Sequence, residues 1–596
     1  MTTLLQQAVG LHQSGQFAAA EKLYRNILAT DPNQPDALAL LGALLTAGGD
    51  PASAIGLIEK AIRLDPKSAL FKLHLGNALM AASHAAEAAN AFREATVLQP
   101  SLAVAHYNLG NALRVKGNWT GAIAAYNEAV KHDPVFADAY NNLALALAHE
   151  KQYDEAVLYA QKSITIAPEY GDGWITLCNV AEQVKDYTLA LEAGLRATQL
   201  LPDNHKGWFG YGVALNRLDR YEEAIDVYMH ALALKPDRAD LWDNLGQCYQ
   251  SLNRLEEAEA AYRKTIEVAG QVIANEDTRE VAEEEYGNRH WHLALIELLR
   301  GKYKEGFARY RARFEDVGEL KRPDFSRPLW RGEDLTGKTL LVTDEQGYGD
   351  TLMLCRYLPL LKQRGVKIIF SVHPVLEPLF QGWAGADTVI VHGQPVPLYD
   401  YFATTFDLPH RFGTTLADIP AQIPYLPLLE PDDKTKITRG GRMKIGVVWG
   451  GNPLHGNDAR RSIPYNIFAP VFIDRIAQFY SLNRDSRPGD IEKLKTLPVV
   501  NLAPRIQNFA DAARLMRQLD LIITCDTATA HLAGGLGCKV WTLLPFAPDW
   551  RWLTDREDTP WYPGMRLFRQ QRIGDWEGVI KRVVEALNAG VAAKSN

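Results

Sequence analysis

The sequence predicts an all-α solenoid followed by two αβ halves, and three observations carry that prediction. Proline recurs at Pro32, Pro66, Pro100, Pro134, Pro168, Pro202 and Pro236, with a spacing of 34 residues each time. From about residue 338 the texture changes from alanine-rich 3.6-residue periodicity to short apolar runs alternating with helical stretches, the pattern of parallel-sheet units. A breaker-rich segment, PYLPLLEPDDKTKITRGGR at 424–442, divides those runs into two groups. The predicted order is a solenoid over 1–269, a connector and cap over 270–337, and αβ halves over 338–430 and 431–596.

If proline fell at about 5% per position, six further hits after the first would have a probability on the order of 10⁻⁸. Within each 34-residue unit a small residue stands at position 8 (Ala8, Gly42, Gly76, Gly110, Ala144, Cys178, Gly212, Gly246). An alanine stands at position 20 (Ala20, Ala54, Ala88, Ala122, Ala156, Ala190, Ala224, Ala258), and together these allow two antiparallel helices to approach closely. Bulky Tyr24, Phe92, Tyr126, Tyr228 and Tyr262 fill position 24, and Trp174, Trp208 and Trp242 occupy position 4. Proline then closes the second helix, since it cannot continue the hydrogen-bond ladder. This pattern resembles the tetratricopeptide repeat, eight units of which run to about residue 270. The acidic stretch TREVAEEEYGN reads as a solvated helix face or connector. A degenerate ninth unit, with Ala294, Gly301, Gly306 and Tyr310 at repeat-like offsets, is expected to cap the array.

Six asparagines, Asn77, Asn108, Asn111, Asn142, Asn179 and Asn244, lie at position 6 or 9 of the first helix of their units. Those positions are three apart and share a helical face. An amide offers both a donor and an acceptor, which suits the backbone of an extended polypeptide. Two readings fit: a peptide-holding ladder, or residues that merely solvate an exposed face.

Of the 596 residues, 47% are hydrophobic and 23% charged, the balance of a globular protein rather than a disordered or membrane-embedded one. A net charge of -7 argues against a nucleic-acid footprint. Cys178, Cys248, Cys355, Cys525 and Cys538 are odd in number, with no CxxC pair and no histidine at metal spacing, so reduced thiols and no metal are expected. The amino terminus lacks the basic and apolar regions of a signal peptide, and no run approaches 18 apolar residues, which predicts a cytoplasmic protein without a transmembrane segment.

Expected strands are 339–343, 366–372 and 387–391 in the first half, and 444–450, 479–482, 519–524 and 539–544 in the second. In TLLVTDEQGYGD a strand leads into a glycine-bearing loop and a helix beginning near Thr351. Asp350 there reads either as a helix cap or as a functional carboxylate. It is not a Walker loop, because the GxxxxGK[ST] order is absent. In LDLIITCDTATAHLAGGLG a strand runs straight into Asp526, Thr527, Thr529 and His531, where free helix N–H groups and hydroxyls suit phosphate. Asp526 reads as a cap or as a partner for a sugar hydroxyl, and His531 as a core histidine or a ligand contact. WGGNPLHGNDARRSIP supplies Arg460 and Arg461, whose planar forks suit diphosphate or stand as exposed charges.

The segments GYGDTLML (347–354), VVWGGN with RRSIP (447–464) and DTATAHLAGGLG (526–537) together resemble bacterial family-nine glycosyltransferases, the group of the ADP-heptosyltransferases. With the repeats and the tail LLPFAPDWRWL (543–553), the layout is similar to bacterial tetratricopeptide-glycosyltransferase fusions, flagellin glycosyltransferases among them. The resemblance implies a GT-B pair of facing Rossmann-like halves, the first on the acceptor side and the second binding a nucleotide sugar. It implies Asp350 as the general base and Arg461, where heptosyltransferases use lysine, as the residue facing the donor phosphates. It further implies Asp526, Thr527 and His531 as donor contacts, with Ala528 in place of the family glycine. Asn452, Ser462 and Asn483, at strand ends of the same half, are further donor-side candidates.

The function implied is inverting, metal-independent transfer of a sugar from a nucleotide donor to hydroxyls of a protein, flagellin being one candidate, recruited by the repeats. The donor is left between an ADP-heptose-like sugar and a CMP-nonulosonate such as CMP-pseudaminic acid. Two other readings stand beside it: a heptosyltransferase-like enzyme acting on lipopolysaccharide or another glycan, and a non-enzymatic adaptor with a decayed transferase domain.

Overall fold

A computed structural model of the chain describes residues 2–273, 290–314, 325–438, 442–454, 456–472, 477–484, 488–494 and 498–592. The acidic stretch 278–288 lies outside the described residues. The chain packs as two compact units, Met1–Pro236 and Asp237–Asn596. The packing boundary therefore falls one repeat before the sequence boundary at 269, leaving seven repeats in the first unit and the eighth with the αβ region.

Each predicted repeat is a helical hairpin, as in Ala69–Ala81 with Ala85–Leu98 and Ala103–Val115 with Trp119–His132. The hairpins turn at position 15, where Gly15, Gly49, Ser83, Gly117, Lys151, Lys185, Asp219 and Asn253 all take positive φ, between 55° and 85°. All eight position-20 alanines are fully buried. Position 8 explains the glycines. A Cβ on Gly76 would lie 2.4 Å from the Phe92 ring, and one on Gly110 2.4 Å from the Tyr126 ring. Gly212 and Gly246 meet Tyr228 and Tyr262 in the same way. In the fifth repeat, where position 8 is Ala144, position 24 shrinks to Ala160; in the sixth, Gly194 at position 24 makes room for the next repeat, since a Cβ there would stand 2.8 Å from Cα of Tyr211. Where position 8 is glycine, it and position 24 share one volume, as close packing requires.

In the second unit the eighth hairpin, Ala239–Ser251 with Leu255–Ile273, is followed by the expected ninth. A helix over 290–299 turns at Gly301 (φ +76°) into Tyr303–Tyr310. Buried carboxylates fasten it to the eighth. Glu297, 1% exposed, meets Arg263 and Arg309, each at 3.0 Å. Glu259 meets Arg263 and Lys302 at 2.8 Å, and Arg300 as well. Against the push of burial, Lys302, Arg263 and Arg300 hold the Glu259 carboxyl down at about 2.

Two parallel sheets follow. The first contains β1 (Thr339–Thr343), β2 (Lys367–Val372), β3 (Thr388–Val391) and β4 (Tyr401–Thr404), in the order β3-β2-β1-β4. The second contains β5 (Met443–Val448), β6 (Ala477–Ser481), β7 (Val499–Asn501), β8 (Leu521–Cys525), β9 (Val540–Leu544) and β10 (Met565–Arg569). Its order, β10-β9-β8-β5-β6-β7, is the doubly wound Rossmann arrangement, with the switch point between β5 and β8. All seven expected strands are present; β4, β7 and β10 were not anticipated.

The halves meet through Arg356, 3% exposed, whose guanidinium has no carboxylate partner among the described residues. It donates to the carbonyls of Met353 (2.7 Å), Pro420 (3.2 Å) and Trp561 (2.8 Å) and to the Tyr425 hydroxyl (2.9 Å). The rings of Tyr425, Tyr562 and Trp561 surround it at 4.5, 4.9 and 5.2 Å. Gly349, in the helix Tyr348–Leu354, completes the contact, since a Cβ there would stand 2.7 Å from Cδ2 of His531.

Gly76→Ala is expected to destabilise the solenoid by about 1–3 kcal/mol, because the added methyl must displace the fully packed Phe92 ring. Thermal melting of the helical circular dichroism signal checks this; an unchanged midpoint would mean that position 24 does not set the helix spacing.

Candidate functional site

Ligands of open parallel sheets sit beyond the carboxyl ends of the strands at the switch point. Here those ends carry Trp449–Asn452 after β5, Asp526 and Thr527 after β8, and Asp549–Trp552 after β9. Facing them from the first half is the loop after β1, with Asp350.

The helix bearing Asp350 starts at Tyr348, three residues earlier than expected, so Asp350 is its third residue rather than its cap. Its Oδ2 accepts the Gly347 N–H at 3.1 Å, closing the first turn from inside. Its Oδ1 is engaged by Arg551 Nη2 of the other half. Burial pushes this carboxyl up, Arg551 pulls it down and Asp549 pushes it up again; the net direction is upward. Cap and candidate base thus coexist in one side chain.

Arg551 is the centre of this arrangement, and sequence reading did not single it out. It donates from Nη1 to Asp549 at 2.6 Å and lies over the Trp550 ring at 4.4 Å, with its side chain 10% exposed. Its Nε is buried without a hydrogen-bond partner. Nε of Arg461 is bare in the same way, its Asp458 neighbour standing 3.9 Å off, while the indole N–H of Trp552 is turned to Asp526. All three side chains act on Asp526. Burial and the Asp549 carboxylate raise Asp526 to about 6, against the pull of Trp552, Arg551 and Arg461. Buried donors normally find partners, so two arginine Nε groups left bare beside Asp526 make this strand-end crevice the candidate anion site.

The helix Ala528–Gly535 opens toward this crevice. Thr527 precedes it in extended geometry and makes no side-chain cap, its hydroxyl lying 3.3 Å from that of Thr524. The first-turn N–H groups are therefore not taken by the Thr527 side chain. His531 is 4% exposed, stacked on Trp552 at 5.2 Å, with Nδ1 2.9 Å from the Tyr562 hydroxyl. Burial, Arg551 and Arg356 hold it well below its ordinary pKa, so it is neutral.

Three other residues expected on the donor side serve the loop itself. Asn483 Oδ1 accepts the N–H groups of Trp449 and Gly450, both at 3.1 Å. Ser462 Oγ accepts Gly451 N–H at 3.0 Å and donates to Asp458 at 2.7 Å. Both are nearly fully buried, whereas Asn452 is exposed and turns its Oδ1 back to Leu454 N–H. Arg460 is exposed on the same short helix as Arg461.

The ninth hairpin reaches both sides of the crevice. Arg313, buried, grips Glu345 with two bonds of 2.7 and 2.8 Å, and Tyr310 exchanges hydrogen bonds with Gln346. Glu345 and Gln346 are the residues leading into the Asp350 turn. Phe307 of the same hairpin packs edge-on against Trp550 at 5.5 Å, and Tyr303 accepts the Trp561 indole N–H at 3.0 Å.

The repeat asparagines pair with one another. Asn108 donates to Asn77 and Asn142 to Asn111, each at 2.9 Å, so a position-6 amide meets the position-9 amide of the preceding repeat. Tyr126 also donates to Asn111 at 2.8 Å. Asn179 is exposed, and Asn244 donates to the carbonyl of Asp240. Among the described residues no set of three His, Cys, Asp or Glu side chains gathers as for a metal, and no helix is long and apolar enough to cross a membrane.

Tetratricopeptide repeat family models match residues 11–74, 73–134, 107–170 and 203–271. The chain is 28% identical over 329 residues to Protein FlbA of Caulobacter vibrioides, taking in 49% of this chain and 54% of that protein. It thus spans about half the length of this curated relative. Among solved structures, MamA is 31% identical over 27% of this chain and 93% of its own, with a TM-score of 0.25. YrrB, described as a TPR protein with an unusual peptide-binding site, is 26% identical over 30% of this chain and 93% of its own, with a TM-score of 0.28.

Because Asp526 titrates at about 6 when folded, against an ordinary 3.8, folding favours its protonated form. That contribution is complete below the ordinary value and lost as pH rises through 6. Asp526→Asn, neutral throughout, is therefore expected to stabilise the unliganded protein at about pH 8, by an amount on the order of 3 kcal/mol, and to change little at about pH 4. Melting curves at the two pH values test it; equal shifts at both would show that the charge is not the cause.

Proposed function

We propose that the chain is an inverting glycosyltransferase that moves a sugar from a nucleotide donor to hydroxyls of a polypeptide, flagellin being one candidate. The observation that carries this reading is the pair of bare buried donors, Arg551 Nε and Arg461 Nε, gathered around Asp526 at the second sheet's strand ends. With the helix start at Ala528 they suit the phosphate of a nucleotide, ADP- or CMP-linked. A carboxylate from the opposite half, Asp350, then supplies the proton acceptor. In the reaction the acceptor oxygen attacks the anomeric carbon while its proton passes to Asp350. The bond from that carbon to the phosphate oxygen breaks, and the electron pair departs with the nucleotide. Arg461 and Arg551 hold the charge that develops there.

A second reading has a specific observation behind it. The paired asparagines spend part of their hydrogen-bonding capacity on one another, which favours the repeats as a scaffold beside a glycan-directed enzyme.

Asp350→Ala is expected to lower transfer by about 10²–10⁴-fold while nucleotide binding persists. Mass spectrometry of candidate acceptors, from cells carrying wild type or the variant, reads the sugar mass and the modified residue together; an unchanged modification level would remove Asp350 from the reaction. Deleting residues 1–236, the separately packed unit, is expected to abolish transfer to the protein while donor hydrolysis continues. Undiminished protein transfer by 237–596 would favour the scaffold reading instead.

A further inference from the structure

The fork of Arg551 is already spoken for on two sides. Nη2 holds Asp350 of the first half and Nη1 holds Asp549 of its own, while Nε faces the crevice with nothing to bond. Asp350 in turn has both oxygens occupied, one by Arg551 and one by the Gly347 N–H. The ion pair works against proton uptake, because taking a proton forfeits it, and both oxygens are already bonded. The residue that must receive the acceptor's proton and the residue best placed to receive the donor's phosphate are thus bonded to each other across the crevice.

We propose that Arg551 changes partners when donor binds, turning its bare Nε edge and Nη2 to the phosphate and releasing Asp350 to act as base. This inference rests on the transferase reading given above and adds an order to it: nucleotide first, proton transfer second. The geometry around Arg551 permits the change without dismantling the site. Asp549 stays bonded through Nη1, and the guanidinium keeps its seat on Trp550, itself braced by Phe307. The phosphate fills the vacancy at Nε and replaces one anion by another, so the buried cation is compensated throughout. The same exchange keeps the base engaged while the donor site is empty. In the transfer step the proton moves from the acceptor hydroxyl to the freed Asp350. The leaving phosphate takes the electron pair of the broken bond, beside the arginine that has just left the base.

The exchange makes Asp350 and the nucleotide competitors for one arginine, which has a measurable sign. Asp350→Asn keeps the shape but removes the competing charge, so the full-length variant is expected to bind its nucleotide about fivefold or more tightly than wild type. ADP, UDP, GDP and CMP serve as probes, read by calorimetry or by quenching of Trp550 and Trp552 fluorescence. In an Arg551→Gln background the same Asp350→Asn step is expected to change affinity by less than about twofold, closing a double-mutant cycle. Should Arg551→Gln fail to fold, the sign of the Asp350→Asn effect alone decides the matter. Unchanged or weakened binding in Asp350→Asn, with wild type binding normally, overturns the exchange and leaves the transferase reading standing. If none of the four nucleotides binds wild type, the donor reading falls, and this inference with it.

Discussion

A single buried cation sets the geometry on which the crevice depends. Arg356 lies just past the helix that carries Asp350, and its bonds reach the Pro420–Tyr425 link and the Trp561 carbonyl of the second half. Among the described residues no carboxylate neutralises it; four oxygen acceptors and three aromatic faces do so instead. Uncompensated, a buried guanidinium would cost several kcal/mol. Its acceptors therefore have to stay where they are, and with them both walls of the crevice. Gly349 against His531 sets how closely those walls approach.

The charge distribution of the crevice divides between finished and unfinished parts. Arg356 and Arg313 are buried with their bonds made, and they belong to scaffold. Arg551 and Arg461 are buried with bonds missing, and Asp526 is held above its ordinary pKa beside them. In the proposed reaction the nucleotide phosphate supplies the missing bonds. That contrast separates the candidate binding surface from the scaffold more sharply than residue type does.

Much of this was legible in the sequence, for identifiable reasons. The repeats announced themselves because one packing solution is written eight times in fixed register. Asp350, Arg461, Asp526 and Thr527 stood out because each follows an apolar strand in a glycine-rich or small-residue segment, and the structure brings them to one crevice. The misses share a different cause. Arg551 bonds Asp350 across 201 residues, and no local pattern encodes such a pairing, although the Asp-Trp-Arg-Trp run after β9 was a visible signal. Ser462 and Asn483 read as ligand contacts by position, yet their side chains hold loop N–H groups. Among the strands, β7 is a three-residue edge, and β10 intersperses arginines with its apolar residues, so neither gives a clear apolar run.

The exchange of volume between positions 8 and 24 takes place inside one hairpin. Most repeats carry their own solution to the helix spacing, and the contacts between repeats are a separate matter of small residues such as Gly194 and Gly210 and of paired asparagines. A unit duplicated or lost whole therefore brings its own hairpin spacing with it and leaves only its two junctions to be refitted. The length of the array is thus a separately heritable trait, free to lengthen or shorten while the chemistry at the far end of the chain stays as it is.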